Sequence, residues 1–220
     1  MTFTYCPPQE LENLKSMTFP DGKRYYTLAD GTRLPSVTTV LGLQKKEAIM
    51  AWRARVGEVE ANRISKQATS RGTNVHTICE HYLNNNVDFM KGIMPDALEF
   101  FLSIKPYLNK IDNIWYQECA LWSKKLNMAG RVDCVAEYEG ELSVIDFKTS
   151  SRPKSKDQIE DYFWQTAAYA LMLEEMIGVP INNLVIIMAV KDSEPLIFKE
   201  KTTDHIEGLV GAIDYYNKNK

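Results

Sequence analysis

Apolar and polar positions change rhythm twice along this chain. Over residues 115–122, 132–138 and 141–147 short apolar bursts are separated by turn residues, which predicts three strands. Glu139-Gly140 makes the last turn, so these strands should form an antiparallel meander. Before them the spacing is helical. Ile49, Trp52, Val56, Val59 and Ile64 mark a helix over 46–69 interrupted at Gly57, and Val75, Ile78, Cys79 and Tyr82 mark another over 71–83, set off by Arg71-Gly72-Thr73. Pro95 opens a helix over 95–109, buried through Leu98, Phe101, Leu102 and Ile104. After the meander, 158–177 predicts a helix stopped by Gly178 and Pro180. The continuous apolar run 184–190 suits a strand covered on both faces; 196–199 pairs with it, and an amphipathic helix over 204–216 follows.

The first twenty residues lack periodicity and predict a loosely held arm. Tyr25-Tyr26-Thr27-Leu28 and Thr32-Arg33-Leu34 flank Asp30-Gly31, a hairpin signal, and Ser36 is placed to cap a short helix ending at Leu41, with Gly42 as its stop. Helix, three-strand meander, helix, strand is an α/β order with a mixed central sheet and an N-terminal helical lobe. The expected division is 1–70 for arm, hairpin and helical lobe, and 71–220 for the core, within one compact unit.

Strand alternation puts Asp146 and Lys148 on one face while Ile145 and Phe147 point into a core, and it brings Asp133 onto the neighbouring strand. Two carboxylates and an ammonium at one sheet surface outline a metal and phosphate site. An Asp-Lys pair on a strand is more often a surface ion pair. Here, however, Asp146 is embedded in Val144-Ile145-Asp146-Phe147, and charges rarely enter apolar strands unless paired or bound to metal. Gly130 precedes the strand of Asp133. Gln165 and Tyr169 lie one helical turn apart, as do His76 and Glu80, with His76 available as an imidazole ligand.

Net charge is -3, which argues against nonspecific coating of nucleic acid, yet residues 45–71 hold seven Lys or Arg against three Glu. That stretch reads either as a solvated helix face or as a surface along a phosphate backbone, with Arg152 and Lys154 in a second basic loop. Trp52 and Tyr162 are candidate stacking surfaces for bases. Cys6, Cys79, Cys119 and Cys134 are far apart, so structural zinc and iron–sulfur clusters are not expected and reduced thiols are. No apolar run spans a bilayer and the N-terminus lacks a signal or transit pattern, so the expected location is the cytoplasm of a bacterial or phage-infected cell.

Gly130-Arg131-Val132-Asp133, then Ile145-Asp146-Phe147-Lys148-Thr149-Ser150, then Gln165-Thr166-Ala167-Ala168-Tyr169, preceded by Arg71-Gly72-Thr73-Asn74-Val75-His76, resembles the PD-(D/E)XK nuclease superfamily in its RecB-like branch. Within that branch it is similar to exonucleases of mitochondria and of small phages, over most of the chain from Leu34 to Tyr169. The resemblance implies a restriction-endonuclease-like core. It implies metal ligation of Mg²⁺ or Mn²⁺ by His76, Asp133, Asp146 and the Phe147 carbonyl, Lys148 as catalytic lysine, and Gln165 and Tyr169 beside them. Glu118 and Glu80 are further candidates, and a strand-surface pairing explains Glu118 about as well. Arg53, Arg55, Arg63, Arg71, Ser36, Thr38, Arg152 and Lys154 are the expected DNA contacts. The function implied is a free-standing, monomeric, metal-dependent exonuclease on single-stranded DNA or DNA ends in replication, repair or recombination, working with proteins of those processes. A flap or branch endonuclease and a non-catalytic DNA-binding accessory protein are the alternatives.

Overall fold

The structure is a computed structural model and describes residues 2–220. Three short strands, β1 (Ser16–Thr18), β2 (Arg24–Thr27) and β3 (Arg33–Pro35), form an antiparallel sheet. The Ser36 side chain then accepts the Thr39 amide at 3.0 Å and caps α1 (Val37–Gly42). Gly42 does not stop the chain as expected: a 3-10 turn carries it into α2 (Lys46–Val56). Gly57, at φ 86°, breaks the path before α3 (Glu58–Leu83), which is followed by α4 (Pro95–Leu108).

The meander is β4 (Ile111–Ser123), β5 (Met128–Tyr138) and β6 (Glu141–Ser150). Helix α5 (Glu160–Ile177), ended by Gly178 in the left-handed region, crosses over to β7 (Asn183–Val190); β8 (Leu196–Lys201) and α6 (Ile206–Asn219) follow. The five strands lie in the order β4-β5-β6-β7-β8, antiparallel except for the β6–β7 pair. The fold class is therefore as expected, a mixed α/β sheet with helices on both faces.

Two apolar clusters explain the strand pattern. Ile145, Phe147 and Ile187 pack with Ile78 of α3 and Phe101 of α4, while Val144, Val135 and Leu184 pack with Ala168 of α5 and Leu209 of α6. Coverage on both faces is what makes β7 an unbroken apolar run.

Four expectations are corrected. Arg71-Gly72-Thr73 is not a break: α3 runs through it for 26 residues, so the 70/71 division falls inside one helix. A mid-helix glycine costs about 1 kcal/mol, and packing of α3 on α4 and β6 offsets it. The apolar row of residues 46–69 is not a core face, because Ile49, Val59 and Ile64 are exposed and Ala61 is the buried residue there. In α4 the buried face is Ala97, Phe100, Phe101, Ile104 and Leu108, with Leu102 exposed. The arm is not loose. Phe3 and Leu14 are buried, the Ile114 amide donates to the Thr4 carbonyl at 2.7 Å, and the Tyr116 hydroxyl donates to the Gln9 carbonyl at 2.8 Å. These contacts cover the free edge of β4, whose backbone would otherwise stay unpaired.

Candidate active site

Register assembles the site. Cys134 pairs with Ile145 between β5 and β6, so the next step brings Asp133 opposite Asp146; Gln117 pairs with Cys134 and Cys119 with Val132, so Glu118 lies opposite Asp133. Three carboxylates thus form a row across β4, β5 and β6. Adjacent like charges repel, and such a row needs cations to persist.

The cations come from two directions. Lys148, two positions beyond Asp146, forms a close ion pair with Asp146 Oδ2. From α3, His76 Nδ1 lies 3.5 Å from Asp133 Oδ1, with its ring edge-on to Phe147. The Phe147 amide donates to Asp133 Oδ2 at 2.8 Å, locking that carboxylate to β6.

Burial and charge set the protonation states. Burial pushes Asp146 up to about 6 against the pull of Lys148. Burial, then Asp133, pushes Glu118 up to about 7. Asp133 is buried too, yet His76 holds it below the ordinary carboxylate range. Burial disfavours charge on His76, but the Asp133 carboxylate outweighs it and holds the imidazole up at about 9. The Lys148 ammonium is likewise disfavoured by burial and held charged by Asp146 and Asp133.

One ligand atom from each of His76, Glu118 and Asp133 lies within 4.8 Å of the others, a spacing that can hold a metal ion. Asp146 is not in this trio, and its buried Oδ1 has no hydrogen-bond partner among the described residues. An orphaned carboxylate oxygen beside a mixed oxygen and imidazole set fits a divalent cation. Glu118 has φ 47°, unusual for a residue with a side chain, and β4 carries a register shift between Asp112 and Tyr116.

A cleft of about 430 Å³ opens onto His76, Glu118 and Asp133. Its walls include the expected Ser36, Thr38, Glu80, Gln165 and Tyr169. Glu80 lines the cleft without joining the ligating trio. Gln165 Nε2 lies 3.3 Å from the Tyr169 hydroxyl, and Tyr169 packs on Gly130.

The other expected DNA contacts lie outside this cleft. Arg53 pairs with Glu58 and Arg63 with Glu60, Arg71 stacks over the Phe100 ring, and Lys154 donates to the Tyr162 hydroxyl at 2.9 Å. Arg55 and Arg152 are exposed on α2 and on the loop before α5. Three lysines, Lys45, Lys148 and Lys154, lie over the Tyr162 ring, and Trp52 is half-buried. The two arginines of the cleft, Arg24 and Arg131, escaped the sequence reading as candidate contacts. Arg131 had a signal, since it stands two positions before Asp133 and shares its face. Arg24 had none, because only folding brings β2 to the cleft.

The family profile described as PD-(D/E)XK nuclease superfamily matches residues 87–209. Mitochondrial genome maintenance exonuclease 1 of Xenopus tropicalis is 32% identical over 182 residues, 76% of this chain and 51% of its own length. The human protein of that name is 29% identical over 175 residues, 74% of this chain and 51% of its own. This chain therefore spans about half the length of these relatives. A solved structure from Eubacterium rectale, named as a candidate exonuclease, is 16% identical with TM-score 0.46, over 68% of this chain and 64% of that one. Nucleases of this superfamily use divalent metal ions and act on DNA, and among the described residues no helix is long and apolar enough to cross a membrane. The profile covers more than half of the residues, and this chain belongs to the PD-(D/E)XK nuclease superfamily.

Proposed function

We propose that this chain is a metal-dependent deoxyribonuclease working as an exonuclease on single-stranded DNA or DNA ends. The observation that carries the reading is the row of Glu118, Asp133 and Asp146, held between His76 and Lys148, whose members Glu118 and Asp133 open with His76 onto a cleft with Arg24 and Arg131 in its wall. The word exonuclease in the names of the relatives supports it.

His76, Glu118 and Asp133 would hold the ion, with Asp146 beside them and the Phe147 carbonyl as a further donor; oxygen donors suit Mg²⁺ or Mn²⁺, and the imidazole favours Mn²⁺. When bound, a divalent ion neutralises the scissile phosphate and lowers the pKa of the attacking water. The chain's own residues do the rest. Lys148 keeps its charge where negative charge builds on the phosphorus oxygens. Arg24 and Arg131 draw in the phosphate backbone, and the hydroxyls of Ser36 and Thr38 line its path. Gln165 and Tyr169 form the wall over Gly130 and orient the strand end.

The test is digestion of end-labelled single strands, duplexes and a covalently closed single-stranded circle with Mg²⁺ or Mn²⁺. Linear strands should be degraded from an end and the circle left intact, with loss of cleavage on chelation and in Lys148→Ala. Cutting of the circle would overturn the exonuclease assignment, and cleavage surviving chelator would overturn the metal-dependent one.

A further inference from the structure

The ligating trio draws on three elements, and two of them, α3 and β4, scarcely pack on each other directly. His76 sits on α3, which packs on α4 and β6, while Glu118 sits on β4, the edge strand, which pairs in the sheet only with β5. The register shift before Tyr116 and the left-handed backbone at Glu118 make β4 irregular beside the site. Asp133 on β5 links them through the sheet, and a contact outside the sheet can fix the spacing from His76 to Glu118 directly.

The N-terminal arm supplies it. Tyr5 bridges to Ile114, and the Cys6 amide donates to the Ile114 carbonyl at 2.8 Å, so the arm rides on β4. Just past the C-terminal end of α3, Asn85 grips the same arm: its side chain accepts from the Phe3 amide at 2.7 Å and donates to the Phe3 carbonyl at 2.9 Å. Between these anchors the Tyr5 hydroxyl contacts Asn84 Oδ1 at 2.7 Å, at the end of α3, and the Gln117 side-chain amide, next to Glu118. A phenol has one proton to give and can accept another. The structure turns Gln117 Oε1 toward the phenol and leaves its buried Nε2 without a partner; with the amide turned over, Tyr5 donates to Asn84 and Gln117 Nε2 donates to the phenol oxygen, and both contacts are satisfied.

We propose that Tyr5 is a positioning residue for the metal centre: its hydroxyl ties Asn84 on α3 to Gln117 on β4 and so holds His76 and Glu118 at ligating distance. Its place in the reaction rests on the nuclease reading; its effect on metal binding does not. Partners that orient metal ligands from outside the coordination sphere are worth roughly 10–100-fold in affinity. Tyr5→Phe keeps the ring on the arm and removes only the hydroxyl, and Asn84→Ala removes the opposite end of the bridge.

The experiment measures Mn²⁺ affinity by electron paramagnetic resonance and DNA cleavage kinetics in the full chain, for Tyr5→Phe, Asn84→Ala, Glu118→Ala and the Tyr5→Phe/Glu118→Ala double variant. Tyr5→Phe should weaken Mn²⁺ binding by about 10-fold or more, lower kcat and leave KM for DNA unchanged, with Asn84→Ala acting the same way. With Glu118 already removed, Tyr5→Phe should add nothing, because it acts through that ligand. Unchanged Mn²⁺ affinity in Tyr5→Phe overturns the proposal. So does an equal loss with and without Glu118, which would mark a general loss of stability. Wild-type protein whose Mn²⁺ binding depends on Tyr5 and Glu118 in this way yet cleaves no DNA would overturn the nuclease reading and leave this one standing.

Discussion

The ring of Tyr169 lies so close over Gly130 that a Cβ on residue 130 would sit 2.6 Å from its Cε1 and 2.9 Å from its hydroxyl oxygen. No real side chain tolerates that approach, so the absence of a side chain at 130 is what seats Tyr169 in the cleft wall. Gly130→Ala should push Tyr169 out, destabilise the fold by about 1–3 kcal/mol, and cut DNA cleavage sharply. Urea unfolding and a cleavage assay read both effects, and wild-type behaviour in both would refute the packing argument.

Glu118 and Glu80 both face the cleft, but Glu118 alone of the two joins His76 and Asp133 at ligating distance. Glu118→Gln should weaken Mn²⁺ binding by an order of magnitude or more and abolish most cleavage. Glu80→Gln should change Mn²⁺ affinity by less than about threefold. Calorimetric titration ranks the two, and the reverse ranking would show the trio to be misassigned.

Metal uptake should release protons. Without metal, His76 holds its proton up to about 9 and Glu118 up to about 7, and each must lose it to ligate. Both values are raised, so the protonated, non-ligating forms persist into the neutral range and affinity must climb as pH rises through 7 toward 9. Calorimetry in buffers of different ionisation heat counts the protons, and His76→Asn should remove the upper part of the climb. Affinity flat over this window would contradict the assigned protonation states.

Two of the basic residues of the helical lobe are already neutralised: Arg53 by Glu58 and Arg63 by Glu60. Arg131, by contrast, shows no carboxylate partner among the described residues; its guanidinium donates to the Glu118 carbonyl. Arg131→Ala should therefore weaken DNA binding and reduce the slope of log affinity against log salt by about 1. Arg53→Ala and Arg63→Ala should leave that slope nearly unchanged. A larger slope change in the latter pair would move the DNA path onto α2 and α3.

Local pattern alone determined the meander, the crossover helix and the buried β7, because burial on one or two faces of a strand or helix leaves a period that short stretches carry by themselves. Asp146 and Lys148 were legible for the same reason, since alternation within one strand needs no partner. Only the tertiary structure decided what depends on register and on segments distant in sequence. It put Glu118 opposite Asp133, brought Arg24 to the cleft and pinned the aperiodic arm to the edge of β4. It also left the helical row of Ile49, Val59 and Ile64 in solvent, because a helical period says that a face exists and not that anything packs against it. The carboxylate row is the clearest case: each residue is one polar position in its own strand, and the repulsion that calls for a cation exists only once three strands lie side by side.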